Sequence, residues 1–193
     1  MKKTLLITGF DPFGGATVNP SMEAVKLLPE EIGQFRLVKL EIPTVFESGA
    51  RQALEAAEKC NPDVILSVGQ AGTRAAVTPE RIGVNIRDAK IPDNAGNTPK
   101  GQFVAEDGPA AYFATVPVED MARAICDAGL PGMVSNSAGA FVCNDVLYTL
   151  LHRFHGTATR VGFIHVPWLP SQGSPSLELE QTVKALIAAI EAL

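Results

Sequence analysis

An α/β domain with helices on both faces of a sheet is the fold class that this 193-residue chain predicts. Three observations carry it. Strand-length apolar runs alternate with segments of helical periodicity. Residues 63–68 and 160–166 are apolar almost without interruption, as strands covered on both faces are. The last segment carries a helical stripe of Leu179, Val183, Leu186, Ile187 and Ile190.

The elements follow in order. Residues 3–8 read as a first strand. A helix starts at Asn19 or Ser21, runs through Ala24, Val25 and Leu28, and stops before Pro29. Residues 36–42 alternate as a strand, and 46–59 form a helix carrying Ala50, Leu54 and Ala57. Residues 63–68 are a buried strand. Residues 118–128 are helical, 132–135 a short strand and 160–166 a longer one. The C-terminal helix is predicted to start at Ser174-Pro175, with Pro at N1. Residues 70–116 break the rhythm. There, 84–87 is a candidate strand, and 101–115 alternates around Asp107-Gly108 as an antiparallel hairpin would. A long irregular insertion in a compact domain is more often functional than idle.

Composition narrows the function. With 46% hydrophobic and 19% charged residues, the chain predicts one globular domain over residues 1–193 and not a disordered one. The net charge is −5 and no Lys/Arg run occurs, which argues against nucleic acid and anionic membrane as partners. No apolar run approaches the ~18 residues of a spanning helix. Lys2 and Lys3 before a short apolar run look like the start of a signal peptide. The run is too short, however, and Asp11-Pro12-Phe13 follows, so a cytoplasmic protein is expected. Cys60, Cys126 and Cys143 are odd in number with no C-x-x-C spacing, so neither a disulfide framework nor a structural zinc site is expected.

Cys143 is the candidate nucleophile. Residues 135–145 place it where a small-residue loop enters a helix carrying Leu147, Leu150, Leu151 and Phe154. A thiol in the first helical turn faces the positive end of the macrodipole, which is expected to favour the thiolate. The same turn offers free N–H groups for an oxyanion. Three histidines compete to be its base. His152 and His155 lie roughly 13–18 Å along the helix axis from Cys143, too far for proton transfer. His165 ends the strand 160–166, where ligands bind in α/β sheets, and elimination favours it. Asp11, Glu80, Asp88, Asp93 and Asp145 are all candidates to orient the imidazole, and periodicity does not choose among them. Glu80 in Thr-Pro-Glu also reads as an acid in a first helical turn. Phe10 and Phe13, in the Gly-rich loop 9–15, either line a small apolar pocket or fold back onto the core. That loop fits neither phosphate-binding Gly signature.

At these residues the chain resembles pyroglutamyl peptidase type I, the pyrrolidone-carboxylate peptidases. The matching segments are residues 9–15 with Asn19-Pro20-Ser21, Pro79-Glu80-Arg81, Ile91-Pro92-Asp93-Asn94, 135–139 with Cys143-Asn144, and 163–167. The resemblance implies a three-layer α/β/α sandwich around a mixed, mostly parallel sheet. It implies Cys143 as nucleophile, His165 as base and Glu80 as the residue orienting His165. Phe10, Phe13 and Phe141 would hold the substrate ring, with Val142 and Gln70 beside it, while Asn19 organises the loop or reaches the lactam. It further implies hydrolysis of the bond after an N-terminal pyroglutamate in peptides, without cofactor or metal, in cytoplasmic homo-oligomers, tetramers or dimers. Lys90 departs from a common Arg, and Trp168 from a smaller aromatic. Two rivals use the same residues: a cysteine amidase acting on another acyl group, and a binding domain in which Cys143 is a core thiol. A phosphorylase-like activity is conceivable only by fold analogy.

Overall fold

A computed structural model describes residues 2–193 of the chain. Its elements are β1 (Lys3–Phe10), α1 (Pro20–Leu27), β2 (Glu31–Ile32), β3 (Phe35–Ile42), α2 (Ser48–Cys60), β4 (Val64–Gln70), β5 (Thr78–Pro79), β6 (Ile82–Val84), β7 (Ala111–Phe113), α3 (Val118–Asp127), α4 (Val142–Arg153), β8 (Arg160–Val166) and α5 (Leu179–Glu191). Six strands form one sheet in the order β2-β3-β1-β4-β8-β5. The inner four are parallel, and β2 and β5 pair antiparallel at the edges.

Side-chain parity sorts the core into two layers, because successive strand residues point to opposite faces. Leu5, Ile7, Val64, Leu66, Val68, Ile164 and Val166 pack in one layer with Val25, Met121, Ile125 and Leu186 of α1, α3 and α5. Leu6, Ile65, Val161 and Phe163 pack in the other with Ala50, Ala53, Val146 and Leu150 of α2 and α4. The fold is therefore the sandwich the resemblance implied. By the same parity, His165 shares the face of Phe163, which α4 covers.

Four local expectations are corrected. α5 starts at Leu179, with Glu178 and Gln181 forming a capping box, not at Ser174-Pro175. Ser174-Pro175 form a bend before it, Ser176 bridges Trp168, and Leu177 N–H donates to Trp168 O at 2.8 Å. The antiparallel pair in the insertion joins β6 to β7, so it starts at Ile82 and not Val84, and Asp107-Gly108 does not turn a hairpin. Residues 132–135 form only isolated bridges, Gly132 with Val77 and Ser135 with Glu80. Thr78-Pro79 is an edge strand, so Glu80 does not open a helix.

Candidate active site

α1 fixes the first loop. Asn19 caps it, accepting from Ser21 N at 3.1 Å, while its amide donates to Asp11 O at 2.9 Å. That leaves Phe10 buried and Phe13 partly exposed beside the ends of β1 and β4. α4 fixes the second loop. Its N-cap is Phe141, whose side chain offers no capping atom. Asp145 N–H is the first to enter the helical ladder, on Phe141 O at 3.1 Å. The N–H groups of Val142, Cys143 and Asn144 precede it and point out of the helix end.

These loops enclose a cavity of about 310 Å³ at the C-terminal ends of the parallel strands. Phe10, Phe13 and Phe141 line it, with Asn19, Gln70, Arg74, Cys143 and His165. The Phe13 and Phe141 rings are 6.1 Å apart, and Phe46 buttresses Phe141 edge-on at 5.3 Å. Both readings of Phe10 hold: it packs 6.3 Å from Phe163 and also faces the cavity. Gln70 takes a 3.2 Å hydrogen bond from the Gln172 amide. Val142 is not in the wall. Its side chain is fully buried in the core layer beneath α4, so only its backbone can reach the cavity. Lys90 is exposed and lies outside the cavity lining.

Gly69 makes room for Cys143 against the strand pair that carries His165. It pairs with His165 across β4 and β8. A Cβ built on it would lie 2.9 Å from Cys143 Sγ and 2.7 Å from the Phe163 ring. The missing side chain is the space the thiol occupies. His165 is 4% exposed, and its Nδ1 lies 2.7 Å from Glu80 Oε1. Glu80 is fully buried, and Arg74 donates to the same oxygen. The other carboxylates are engaged elsewhere. Asp11 accepts from Thr44 N and Asn94, and Asp93 from the N–H groups of Phe46, Ala95 and Asn97. Asp145 pairs with Arg87 at 2.6 Å, and Asp88 is exposed near Lys100.

Burial dominates the electrostatics. It pushes the Cys143 thiol up to about 12, aided by the Glu80 charge and opposed by Arg74. Desolvation of this half-buried thiol therefore works against the helix N-terminus. Burial also pulls His165 below the ordinary histidine value, against the pull of Glu80. Burial raises Glu80, but the His165 hydrogen bond and charge, the Ser135 hydroxyl and the charge of Arg74 outweigh it and hold the carboxyl below its usual range.

The family profile described as pyroglutamyl peptidase matches residues 3–193. The chain belongs to the pyroglutamyl peptidase family. A pyrrolidone-carboxylate peptidase of Levilactobacillus brevis is 52% identical over 98% of this chain and 96% of its own length. One from Lactobacillus johnsonii is 48% identical over 98% and 91%. The crystal structure of pyroglutamyl peptidase I from Bacillus amyloliquefaciens superposes with a TM-score of 0.95 at 45% identity, covering 99% of this chain and 96% of that one. The pyrrolidone carboxyl peptidase of Thermococcus litoralis gives 0.94 at 36%, covering 98% and 92%. The sequence carries no signal for Arg74 and Thr44. Neither stands in a pattern with chemical meaning of its own, and only the fold brings them to the cavity.

Proposed function

We propose that this protein is a cysteine peptidase that hydrolyses the bond after an N-terminal pyroglutamyl residue through a thioester. Cys143 is the nucleophile, His165 the acid and base, and Glu80 the residue that orients His165. Family membership supports the activity. The observation that carries the roles is the 2.7 Å contact of His165 Nδ1 with buried Glu80, behind a cavity holding Cys143 and three phenyl rings. Nδ1–H donated to the carboxylate leaves Nε2 free as the acceptor.

Nε2 takes the Cys143 proton while Sγ attacks the carbonyl carbon joining the ring to the next residue. The N–H groups at the start of α4 hold the oxyanion. Collapse expels the amine, which takes the proton from His165. Water then attacks the thioester, His165 accepts its proton, and Cys143 leaves as thiol with pyroglutamate released. The lactam is flat and uncharged, so an apolar-walled cavity accepts it. An open-chain N-terminal ammonium is rejected by the cost of burying its charge.

The test is turnover of a pyroglutamyl anilide with and without a thiol alkylator and a chelator. Expected is loss with the alkylator only, and loss in Cys143→Ala. Full turnover by Cys143→Ala, or none by the wild-type protein, overturns the reading.

We also propose that residues 1–193 form one catalytic domain, that the protein is cytoplasmic, and that it forms a homo-oligomer. Three free cysteines support a reducing compartment. Exposed Phe103, Phe113 and Met133 support association of copies, which light scattering measures.

A further inference from the structure

Arg74 lines the cavity but takes no part in the steps above. It ends a turn that leaves β4: Ala71 N–H donates to Val166 O at 2.8 Å, and Arg74 N–H donates to Ala71 O at 3.0 Å. Its guanidinium reaches three elements. Nη1 donates to Glu80 Oε1 and, at 2.5 Å, to Thr78 Oγ1. Nη2 donates to Ser137 O at 2.7 Å, in the loop that leads to Cys143. Glu80 Oε1 thus receives both Arg74 and His165, while Oε2 has no partner among the described residues. A fully buried carboxylate with one free oxygen needs a fixed cation to stay ionised. Arg74 is that cation, and its fork shape lets one group bond Glu80 and Ser137 together.

We propose that Arg74 is a positioning residue: it balances the Glu80 charge so that His165 stays neutral, and it ties Glu80 to the loop before Cys143. The role rests on the cysteine-peptidase reading above. The groups acting on His165 are Glu80, which favours its protonation, and Arg74, which opposes it, with the Cys143 thiol in the same cavity. Removing the Arg74 charge therefore makes the imidazole easier to protonate. Activity that needs neutral His165 is then lost at higher pH than in the wild-type protein.

Arg74→Gln and Arg74→Lys test it with two readouts. The first is the acid limb of kcat/KM for a pyroglutamyl anilide. The second is the rate of iodoacetamide alkylation at Cys143 against pH, followed peptide by peptide, which needs no peptidase substrate. Arg74→Gln is expected to move the acid limb up by about half a pH unit or more and to slow alkylation near neutral pH by about threefold. Arg74→Lys keeps the limb in place but lowers kcat, because one ammonium does not bond Glu80 and Ser137 as a fork does. An unmoved limb in Arg74→Gln, whatever its kcat, overturns the proposal. If the wild-type protein does not turn over the anilide, the peptidase reading fails instead. The alkylation profile then still decides the electrostatic role of Arg74.

Discussion

Burial acts on Cys143 and His165 in opposite senses, and both effects favour the uncharged pair. The thiol sits at about 12 and the imidazole below its ordinary value. In the proposed mechanism the site then rests as thiol and neutral imidazole, and the proton moves to His165 only as the Cys143–carbonyl bond forms. His165 must be neutral to act as base, and its value lies below about 6.5, so kcat/KM should fall only below that pH. A pH series with a pyroglutamyl anilide checks this; an acid limb well above neutrality contradicts it. Glu80→Gln gives the complementary result. It keeps the shape but loses the charge that holds the imidazole and steadies its protonated form. We expect kcat to drop about 100-fold or more with KM nearly unchanged. The acid limb should move down, because an attraction for the imidazolium is gone. A KM effect alone would make Glu80 a binding residue.

α4 must start at one place for the thiol to meet the cavity, and its first turn is clamped from outside. The Asn144 amide donates to Val84 O and Ile86 O and accepts from Val84 N. Asp145 accepts Glu47 N at 2.7 Å and Arg87 Nε at 2.6 Å. Removing one partner of a buried ion pair leaves the other charge poorly compensated. Arg87 would keep only the exposed Glu47, at 2.9 Å. Asp145→Ala should therefore cost about 3 kcal/mol, since the Arg87 side chain is only 12% exposed. In a chain of this size that is about 6–12 °C in Tm, read by calorimetry. A loss within about 1 °C would mean the clamp does not hold the helix. None of this was visible in the sequence, where Asp145 reads as an ordinary first-turn acid. The same ambiguity hid β5. Thr78-Pro79-Glu80 carries helix-start chemistry, and only pairing with a strand more than eighty residues away makes it an edge strand. The inner strands were legible, because burial on both faces writes continuous apolar runs at β4 and β8. Cys143 and His165 stand out as candidates in the sequence because few residues of their types exist. Glu80 is singled out only by the family resemblance, because its contact lies 85 residues on and five carboxylates look alike locally.

At the scale of the whole molecule, the cavity is a meeting point of segments that share no helix or strand. Phe10 ends β1 and Phe13 follows it, Gln70 and Arg74 lie at and after the end of β4, Phe141 precedes α4, and His165 lies near the end of β8. Parity at the parallel strands aims His165 at α4, and the bare Cα of Gly69 admits the thiol. A ring seated against Phe13 and Phe141 therefore touches both the loop after β1 and the start of α4. A ligand that binds only the folded state stabilises it by mass action. The free lactam, 2-pyrrolidone, carries the ring without a scissile bond and isolates this effect from catalysis. At about a hundredfold excess over its Kd it should add about 2.7 kcal/mol. That is about 5–10 °C in Tm for a domain of this length. Phe13→Ala should abolish most of that shift while the unliganded Tm falls little, since Phe13 is partly exposed. An unshifted wild-type Tm at saturating lactam would mean the three phenyl rings do not form a lactam pocket.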